Sequence, residues 1–462
     1  MKYICKILLI LILTQSLAAT MVKAEDERSC CCLPPTASAP TIPVVYFGDL
    51  TNSDDVLALF LILKDPRIDL LAVYIVGNAF GDAGATMQYV LNMLDWLGRT
   101  NVPVVIGSAY ATIDTFPAIP PLDETWGAAV PKGSNGKFLM DSLWGLSGLL
   151  PQSPRHYQPI TSSSNGFEDD IAAINTIRAI IAGSPTPVNI LSFGSLTGPY
   201  NVLLGQTFPN FPAPIVVPPA PANVLTNIAS FLQMGGDLNL SGTTVGNVLF
   251  FFPEICRSEF NIFADPTAAE VVFTLLATNS IPITLVPLDA TDTVPAAQFI
   301  TLLNATQAVT PEFVFIRKLY NQVAQNWFSF TFGLVGLYIW DATAAMAFLD
   351  PSVIATSQNS NVTVTSSTTL TKIVAPPGGC NTPVEGSCPE VPCAITITRT
   401  YTSSTGQTNI NPAGNPMFVV TSFNTPQIYN SIIERLNTRN ANSARIALKT
   451  PVGLYQYVPA SA

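Results

Sequence analysis

The chain has few charged side chains for its length. Only 11% of its 462 residues are Asp, Glu, Lys or Arg, whereas an ordinary soluble domain has about 25%. The 20 basic residues are outnumbered by 30 acidic ones, which gives a net charge of −10. Nucleic-acid binding needs a basic surface, so this balance argues against nucleic acid as a partner. A neutral or cationic small ligand, or a metal ion, suits the charge better.

Long apolar runs are also missing after the amino-terminal segment. Runs such as Val56–Leu63 are short and bounded by charge or proline, which favours core elements over membrane spans. The start of the chain differs, because a basic end precedes an apolar stretch from Ile7 to Leu13 and the tripeptide Val22-Lys23-Ala24. This order predicts a signal peptide over residues 1–24 and therefore secretion, with no stable membrane span after its removal. A signal anchor is the alternative, because the segment up to Val22 is just long enough to cross a bilayer.

Histidine and paired cysteines are too scarce for a zinc site. The chain has one His, His156, and 8 Cys, of which three adjacent ones begin at Cys30 and three more lie between Cys380 and Cys393. Neither group offers the spaced pairs with His that zinc prefers, so we favour disulfides of unknown connectivity. Removal of Cys5 with the signal peptide leaves an odd number, so at least one thiol is unpaired or bonded elsewhere.

Three Asn-x-Ser/Thr triplets predict that the secreted chain is a glycoprotein. They are Asn239-Leu240-Ser241, Asn304-Ala305-Thr306 and Asn361-Val362-Thr363. Glycans would solubilise a chain with so few charges, although each triplet alone is a weak signal.

The periodicity of the sequence predicts an α/β fold. After a linker at residues 25–40, short β-branched runs alternate with amphipathic segments. We predict strands at Val44–Phe47, Leu70–Val76, Pro103–Ile106, Val188–Phe193, a run ending at Met234, Pro282–Val286 and Met417–Val420, and helices at Asp54–Lys64, Ala85–Leu97, Asp169–Ala182, Ala268–Thr278 and Pro426–Leu436. This order predicts an open mixed, mainly parallel sheet with helices on both faces.

One domain covers residues 41–436 in this interpretation. Three segments interrupt it: an irregular stretch from Tyr110 to Ser164, which is a candidate active-site cover, a Pro-rich insertion from Phe208 to Pro221, and an irregular insertion at residues 357–392. Residues 437–462 are predicted to be a carboxyl-terminal tail.

Oxygen-bearing side chains follow several of the predicted strands. Asp49, Asp54 and Asp55 follow the first strand, Asn78 follows the second, and Thr197 lies in the turn after Val188–Phe193. Ligands of an open parallel sheet bind beyond the carboxyl ends of its strands, and hard oxygen ligands suit calcium. Helix capping by the acidic residues is the alternative, but three carboxylates so close together would repel one another without a cation. A glycine-rich phosphate loop is absent at the first strand, which disfavours a nucleotide cofactor.

Six short motifs, in order, resemble those of the inosine-uridine preferring nucleoside hydrolases, closest in pattern to the plant-type extracellular members. They are the Asp-rich turn after the first strand, Gly77-Asn78, Gly194-Ser195-Leu196-Thr197, Met234-Gly235-Gly236, Ser258-Glu259-Phe260-Asn261 with Asp265-Pro266, and Trp340-Asp341. The resemblance implies a nucleoside hydrolase-like α/β sheet and a calcium-dependent hydrolase that cleaves ribonucleosides to free base and ribose, as nucleoside salvage requires. Family members are often dimers or tetramers, so it also allows a homodimer or a homotetramer.

The resemblance further implies roles for individual residues. The Ca²⁺ ligands would be Asp49, Asp55, Asp341 and the main-chain carbonyl of Thr197. The residues that contact the nucleoside would be Asp54, Asn78, Met234, Glu259, Asn261 and Trp340. Asp49 and Asp54 are the predicted catalytic residues. Taken singly, each motif also has a structural reading as a cap, a turn or a core residue.

Two departures from the family pattern leave the chemistry open. Leu50 stands where the family has an Asp that serves as metal ligand and base. Either Asp49 takes over as the base, or the chain is a catalytically inactive relative that binds calcium and a ribosyl ligand. Trp340 stands where many members have a His that protonates the departing base. The one His of the chain, His156, lies in the irregular cover, and a lone His in a loop is usually a surface residue. We therefore expect leaving-group activation by aromatic stacking or by solvent.

Overall fold

The structure is a computed structural model that describes residues 41–50, 53–77, 83–107, 150, 153–155, 167–208, 215–242, 244, 246–247, 258–330, 338–365, 368–372, 399–403 and 406–438. The described residues from Ile42 onward belong to one compact unit. Several predictions fall outside these residues: the signal peptide, the linker, Asn78, His156, all the cysteines and the tail after residue 438.

A nine-stranded mixed sheet forms the centre of the unit, in the order β12-β9-β13-β8-β7-β4-β1-β2-β3. In chain order the strands are β1 (Ile42–Gly48), β2 (Ile68–Ile75), β3 (Val104–Ile106), β4 (Val188–Phe193), β5 (Gln206–Phe208), β6 (Ile215–Val217), β7 (Ile228–Met234), β8 (Ile283–Val286), β9 (Ile354–Val364), β10 (Thr368–Lys372), β11 (Arg399–Ser403), β12 (Thr408–Ile410) and β13 (Asn415–Phe423). The strands from β13 to β3 are parallel, and β9 is antiparallel to both of its neighbours. β5–β6 and β10–β11 form separate antiparallel pairs.

Helices connect the parallel strands. They are α1 (Ser53–Lys64), α2 (Ala83–Trp96), α3 (Phe167–Gly183), α4 (Thr197–Leu204), α5 (Ala222–Leu225), α6 (Phe260–Phe263), α7 (Pro266–Thr278), α8 (Leu288–Thr291), α9 (Ala296–Ala305), α10 (Pro311–Phe330), α11 (Trp340–Leu349) and α12 (Thr425–Asn437). None of the helices in the described ranges combines the length and the apolar character that a membrane crossing requires.

Alternate residues of β1 contribute to two hydrophobic cores. Val44 and Tyr46 pack in a core with residues of α1, α2, α10, α11 and α12. Val45 and Phe47 pack in a second core with residues of α3 and α7. Because helices cover both faces, the strand is a continuous apolar run rather than an alternating one. The predicted α/β fold with an open, mainly parallel sheet is confirmed.

The predicted strands and helices up to Val286 agree with the observed ones to within about two residues at each end, the usual uncertainty of a boundary. The prediction of an irregular insertion at 357–392 is wrong for the first part of that segment. Residues up to Val364 belong to β9, which pairs with β13, and Thr368–Lys372 form β10. Its Ser, Thr and Asn side chains suggested a loop, but β9 lies near the sheet edge, where polar side chains can face water. The remainder of the insertion lies outside the described residues.

A buried acid joins the end of α1 to α12. The side chain of Asp65 is 1% exposed, and it accepts hydrogen bonds from Arg67 Nε at 2.9 Å and Arg435 Nη1 at 2.7 Å. Burial alone would raise the pKa of Asp65, but the hydrogen bonds from the two arginines and the charge of Arg67 lower it to about 2. The ionised carboxylate therefore stabilises the folded state at neutral pH.

We expect Asp65→Asn to lower the free energy of unfolding at pH 7 by ~2 kcal/mol, because three part-buried, charge-assisted hydrogen bonds from Arg67 and Arg435 are weakened. The folded-state pKa lies below the unfolded value of about 4, so the contribution is complete above pH ~4 and is lost as the pH falls toward 2. Urea unfolding at pH 7 and pH 3 measures it, with Asp69→Asn, an exposed residue of β2, as the control. A gap between wild type and variant of the same size at both pH values would contradict this account.

Candidate active site

The site lies where the parallel strands end. Gly48 at the end of β1 is in register with Ile75 of β2 and with Phe193 of β4, so the segments after these strands meet at one edge. Asp49 follows β1 directly, and Thr197 begins α4 just after β4. This edge is the place where open parallel sheets bind their ligands.

Two buried helices direct their amino termini at this edge. α1 is buried along its whole length and has Asp54 and Asp55 in its first turn. α11 packs against α1, has Asp341 in its first turn and is also almost wholly buried. The partial positive charge at a helix amino terminus favours carboxylates at that position. The sequence thus places three acids inside the protein, rather than on a solvated cap.

Four carboxyl groups are buried together here. The residue exposures are 4% for Asp49, 3% for Asp54, 1% for Asp55 and 4% for Asp341. The carboxyl of Asp55 is hydrogen-bonded to those of Asp49 and Asp341. The main-chain N–H of Asp341 donates to Asp54 Oδ2 at 3.3 Å. The hydroxyl of Tyr46 donates to the main-chain oxygen of Asp55 at 3.4 Å.

Burial raises the pKa of every member of this group for which a shift is resolved. Burial raises the pKa of Asp54 to about 6, against hydrogen bonds from main-chain N–H groups that lower it. Burial and the charges of Asp341 and Asp54 raise the pKa of Asp55 well above its usual value. Burial and the charge of Asp54 do the same to the pKa of Asp341. Among the described residues, no Lys, Arg or His side chain offsets these charges. The group has an excess of acceptor oxygens and lacks a positive charge.

The chemistry of these donors fits a calcium ion. Carboxylate oxygens are hard ligands of the kind calcium selects, and Asp54 Oδ1 is buried without a hydrogen-bond partner. The side chains do not form a ready cage, since no set of three or more His, Cys, Asp and Glu residues in the described ranges is arranged to hold a metal. The hydrogen bond between Asp55 and Asp341 requires a proton that the two carboxyls share. A cation would replace that proton, because metal binding and deprotonation of ligands are coupled.

Leu50 explains how Asp49 reaches the group. Leu50 has a φ of 55°, in the left-handed region that a leucine adopts only at a cost on the order of 1–2 kcal/mol. Its side chain is fully buried in the core that contains α1. The apolar residue at the expected position of an acid thus points into the core, while Asp49 contacts Asp55. Gly194 lies close behind, since a Cβ atom on it would be 3.0 Å from the main-chain N of Asp49.

Thr197 and Asp265 join the end of β4 to α7. Ser195 Oγ donates to Thr197 Oγ1 at 3.2 Å, and Thr197 Oγ1 donates to Asp265 Oδ2 at 2.6 Å. Asp265 Oδ1 accepts from the N–H of Ala268 and caps α7. All these hydroxyl and carboxyl groups belong to buried residues, so the chain of hydrogen bonds fixes the position of Thr197.

Glu259 holds the ends of β7 and α6 together. Its Oε1 accepts from the N–H of Asn261 at 2.8 Å, and its Oε2 accepts from Gly236 at 3.0 Å and Ile262 at 3.1 Å. Burial raises the pKa of Glu259 to about 7, against these hydrogen bonds, which lower it. The amide of Asn261 donates to the main-chain oxygen of Met234 at 3.2 Å. The structural reading of this motif as a helix cap is therefore observed, and its role in ligand binding stays a prediction.

Asp292 is a polar residue at this edge that the sequence analysis missed. Trp340 Nε1 donates to Asp292 Oδ1 at 2.7 Å, and the rings of Trp340 and Tyr338 are 5.7 Å apart. Burial raises the pKa of Asp292 to about 7, with the hydrogen bond from Trp340 opposing this and the charges of Asp289 and Glu259 adding to it. Asp292 ends α8, which follows β8, so the position after a strand was the available signal.

The structure therefore brings most of the predicted site residues to one edge. The carboxyls of Asp49, Asp54, Asp55 and Asp341 lie together, and Glu259 is close enough to Asp341 and Asp292 to affect the pKa of both. Their individual roles stay predictions, and Asn78 lies outside the described residues.

Comparison with known proteins gives one consistent result. The profile of the inosine-uridine preferring nucleoside hydrolases matches residues 44–429. The chain is 30% identical to nucleoside hydrolase 3 of Arabidopsis thaliana over 285 residues, which are 61% of this chain and 30% of that protein. It is 28% identical to nucleoside hydrolase 4 of the same plant over 290 residues, which are 60% of this chain and 48% of that protein. The chain thus spans less than half the length of these two curated relatives.

Two solved structures have a similar fold. A plant nucleoside hydrolase has a TM-score of 0.55 and 17% identity, with 87% of this chain and 100% of that chain covered. An inosine-uridine preferring nucleoside hydrolase from Bacillus anthracis has a TM-score of 0.54 and 18% identity, with 86% and 99% covered. At such identities the likeness shows the fold alone.

We expect Thr197→Val to lower the free energy of unfolding by ~2 kcal/mol, because it removes the buried hydrogen bond to Asp265 and leaves a carboxylate oxygen with one donor fewer. Thr301→Val is the matched control, since the Thr301 hydroxyl bonds to a helix carbonyl on an exposed face of α9. Thermal and urea unfolding measure both variants. An equal, small effect of the two substitutions would show that the Thr197 hydroxyl does not fix this edge.

Proposed function

Because the chain belongs to the inosine-uridine preferring nucleoside hydrolase family, we propose that it hydrolyses the N-glycosidic bond of ribonucleosides and releases free base and ribose. The observation that carries the proposal is the buried group of four carboxyls at the ligand-binding edge of the sheet. Such a group destabilises the fold unless its negative charge is compensated, because each buried charge loses several kcal/mol of hydration. A cation and a sugar with developing positive charge both compensate for it.

In this proposal Asp49, Asp55, Asp341 and the main-chain carbonyl of Thr197 hold a calcium ion. Bound there, calcium would supply activation of water for attack on the sugar. Asp49 accepts the proton of the attacking water at a carboxylate oxygen, as a general base does. Its contact with Asp55 supports this assignment, because it places Asp49 in the same buried group as the predicted ligands.

The ribose is held by Asp54, Asn261 and Glu259. Asp54 Oδ1 has no hydrogen-bond partner among the described residues, so it is available to accept from a sugar hydroxyl. Cleavage of an N-glycoside passes through an oxocarbenium-like state with positive charge on the sugar. Buried carboxylates stabilise that charge strongly, because little water is present to screen it. Trp340, half-buried beside Tyr338, offers an aromatic surface on which a base can stack.

The proposed place of action is the secretory route or the outside of the cell. The signal-peptide pattern at residues 1–24 supports this, as do the acceptor triplets for glycans. Of the three asparagines, Asn304 is exposed on α9, whereas Asn239 and Asn361 are half-buried. Asn304 is therefore the most accessible acceptor.

The test is release of reducing sugar from inosine, uridine, adenosine, xanthosine and guanosine, before and after chelation and re-addition of Ca²⁺. We expect calcium-dependent release, and a loss of ~10² or more in kcat for Asp49→Ala, the size typical of a lost general base. Asp69→Asn, exposed on β2, is the control and should keep wild-type rates.

The absence of release from every nucleoside, with calcium still bound, would favour the alternative function. Leu50 in the position of an acid is the observation behind that alternative, a protein that binds calcium and a ribosyl ligand without hydrolysing it. Equilibrium dialysis with Ca²⁺ and with ribose distinguishes it from a protein that binds neither.

Gly194→Ala tests whether Asp49 must lie where the structure has it. An added Cβ would be 3.0 Å from Asp49 N, so the turn after β1 must shift by a few tenths of an ångström. We expect kcat to fall about 10-fold, because displacement of a catalytic group by even a fraction of an ångström is costly. Gly183→Ala is the matched control, since a Cβ there has nothing within 4 Å. Equal kcat values for the two variants would show that the reaction does not depend on the position of Asp49.

A further inference from the structure

The indole of Trp340 cannot itself supply a proton to a departing base. Trp340 precedes Asp341 at the start of α11, so it lies beside the buried carboxyl group described above. Its only N–H is already donated to Asp292 Oδ1 at 2.7 Å. An indole N–H is moreover a donor that is not released as an acid at neutral pH. A proton for the base at this end of the site comes either from solvent, as expected from the sequence, or from another side chain.

Asp292 is the carboxyl that contacts the indole of Trp340 directly, which makes it the candidate for that group. Its Oδ1 is fixed by Trp340, whereas its Oδ2 has no hydrogen-bond partner among the described residues and the side chain is only partly buried. Glu259, a predicted ribose contact, is near enough to act on its charge. Asp292 is remote in sequence from Asp49, Asp55, Thr197 and Asp341, and it makes no hydrogen bond with any of them in the described structure. The charges that act on the pKa of Asp292 come from Asp289 and Glu259, and those of Asp49, Asp54, Asp55 and Asp341 are not among them.

Burial and two neighbouring carboxylates favour the protonated form of Asp292, and the hydrogen bond from Trp340 opposes them. The groups that face Asp292 come from three segments: Asp289 from its own helix α8, Glu259 from the loop before α6, and Tyr338 with Trp340 from the start of α11. Burial raises the pKa of Asp292 to about 7, the hydrogen bond from Trp340 lowers it, and the charges of Asp289 and Glu259 raise it further. A carboxyl of this kind carries its proton in a large fraction of molecules at neutral pH, as a general acid must.

We propose that Asp292 is the proton donor to the departing base, in the place left by the substitution of Trp for His at position 340. The inference rests on the proposed hydrolysis of nucleosides. As the bond between the sugar C1′ and the base nitrogen breaks, its electron pair goes to the base, and the O–H of Asp292 breaks to form an N–H on that base. The attacking water forms the new bond to C1′ and gives its proton to Asp49. Asp49 then releases its proton to solvent and the carboxylate of Asp292 regains one, so both groups are restored and one water is consumed for each nucleoside.

The experiment compares two leaving groups in wild type and Asp292→Asn. Inosine needs protonation of its base, whereas p-nitrophenyl β-D-ribofuranoside releases a phenolate that leaves unassisted. The Asn carboxamide oxygen still accepts from Trp340 Nε1, so the indole keeps its position. We expect kcat for inosine to fall ~10²-fold or more, and the rate for the nitrophenyl riboside to change less than about 3-fold. Asp69→Asn serves again as the matched control.

The pH profile of the wild type gives a second measurement that needs no variant. We expect kcat/KM for inosine to fall as the pH rises through about 7, because the acid form of Asp292 is lost. The nitrophenyl riboside should lack this alkaline limb, and so should inosine with Asp292→Asn.

Four results would overturn the proposal in distinguishable ways. An equal loss with both substrates would make Asp292 a structural support of Trp340, and an unchanged rate with inosine would remove it from the reaction. An alkaline limb of the same size for both substrates would assign that limb to another group. A wild-type protein that cleaves neither substrate would overturn the proposed function itself, and this inference with it.

Discussion

The burial of four carboxyl groups against one another is the constraint on which the rest of the structure depends. The amino termini of α1 and α11 converge on Asp54, Asp55 and Asp341, and their main-chain N–H groups supply part of the missing positive charge. The remainder is met by protonation, which is why burial raises the pKa of these acids. The fold assembles the group by three means. It buries α1 and α11, it has a glycine at position 194 behind Asp49, and it holds the backbone of Leu50 in the left-handed region.

The sequence predicts the architecture well because the alternation of strands and helices is a local signal. It fails where burial or pairing is decided by distant residues. β9 is rich in Ser, Thr and Asn and resembles a loop, yet it pairs with β13. At the site, the motifs locate Asp49, Glu259 and Asp341, but the hydrogen bond between Asp292 and Trp340 joins residues far apart in the chain. The orientation of Leu50 likewise depends on a backbone angle that no pattern of residue types encodes.

The site has two chemically different ends. One end contains the acid group, whose carboxyls would lose their protons on binding a cation. The other contains the rings of Tyr338 and Trp340 and the carboxyl of Asp292, whose pKa burial raises to about 7. Glu259 lies between the two and acts on the charge of both. Separate environments of this kind allow one fold to present a base and an acid at the same pH.

The hydrogen bond from the N–H of Asp341 to Asp54 joins residues separated by 287 positions. During synthesis, the acids of α1 therefore emerge long before the helix that covers them. Until α11 is synthesised, Asp54 lacks the main-chain N–H of Asp341 that it accepts from in the folded protein. The site therefore depends on a highly non-local contact, of the kind that slows folding. A nascent chain that ends before residue 340 contains the residues of β1 to β8 but neither Asp341 nor the rest of α11, so it lacks part of the ligand-binding edge.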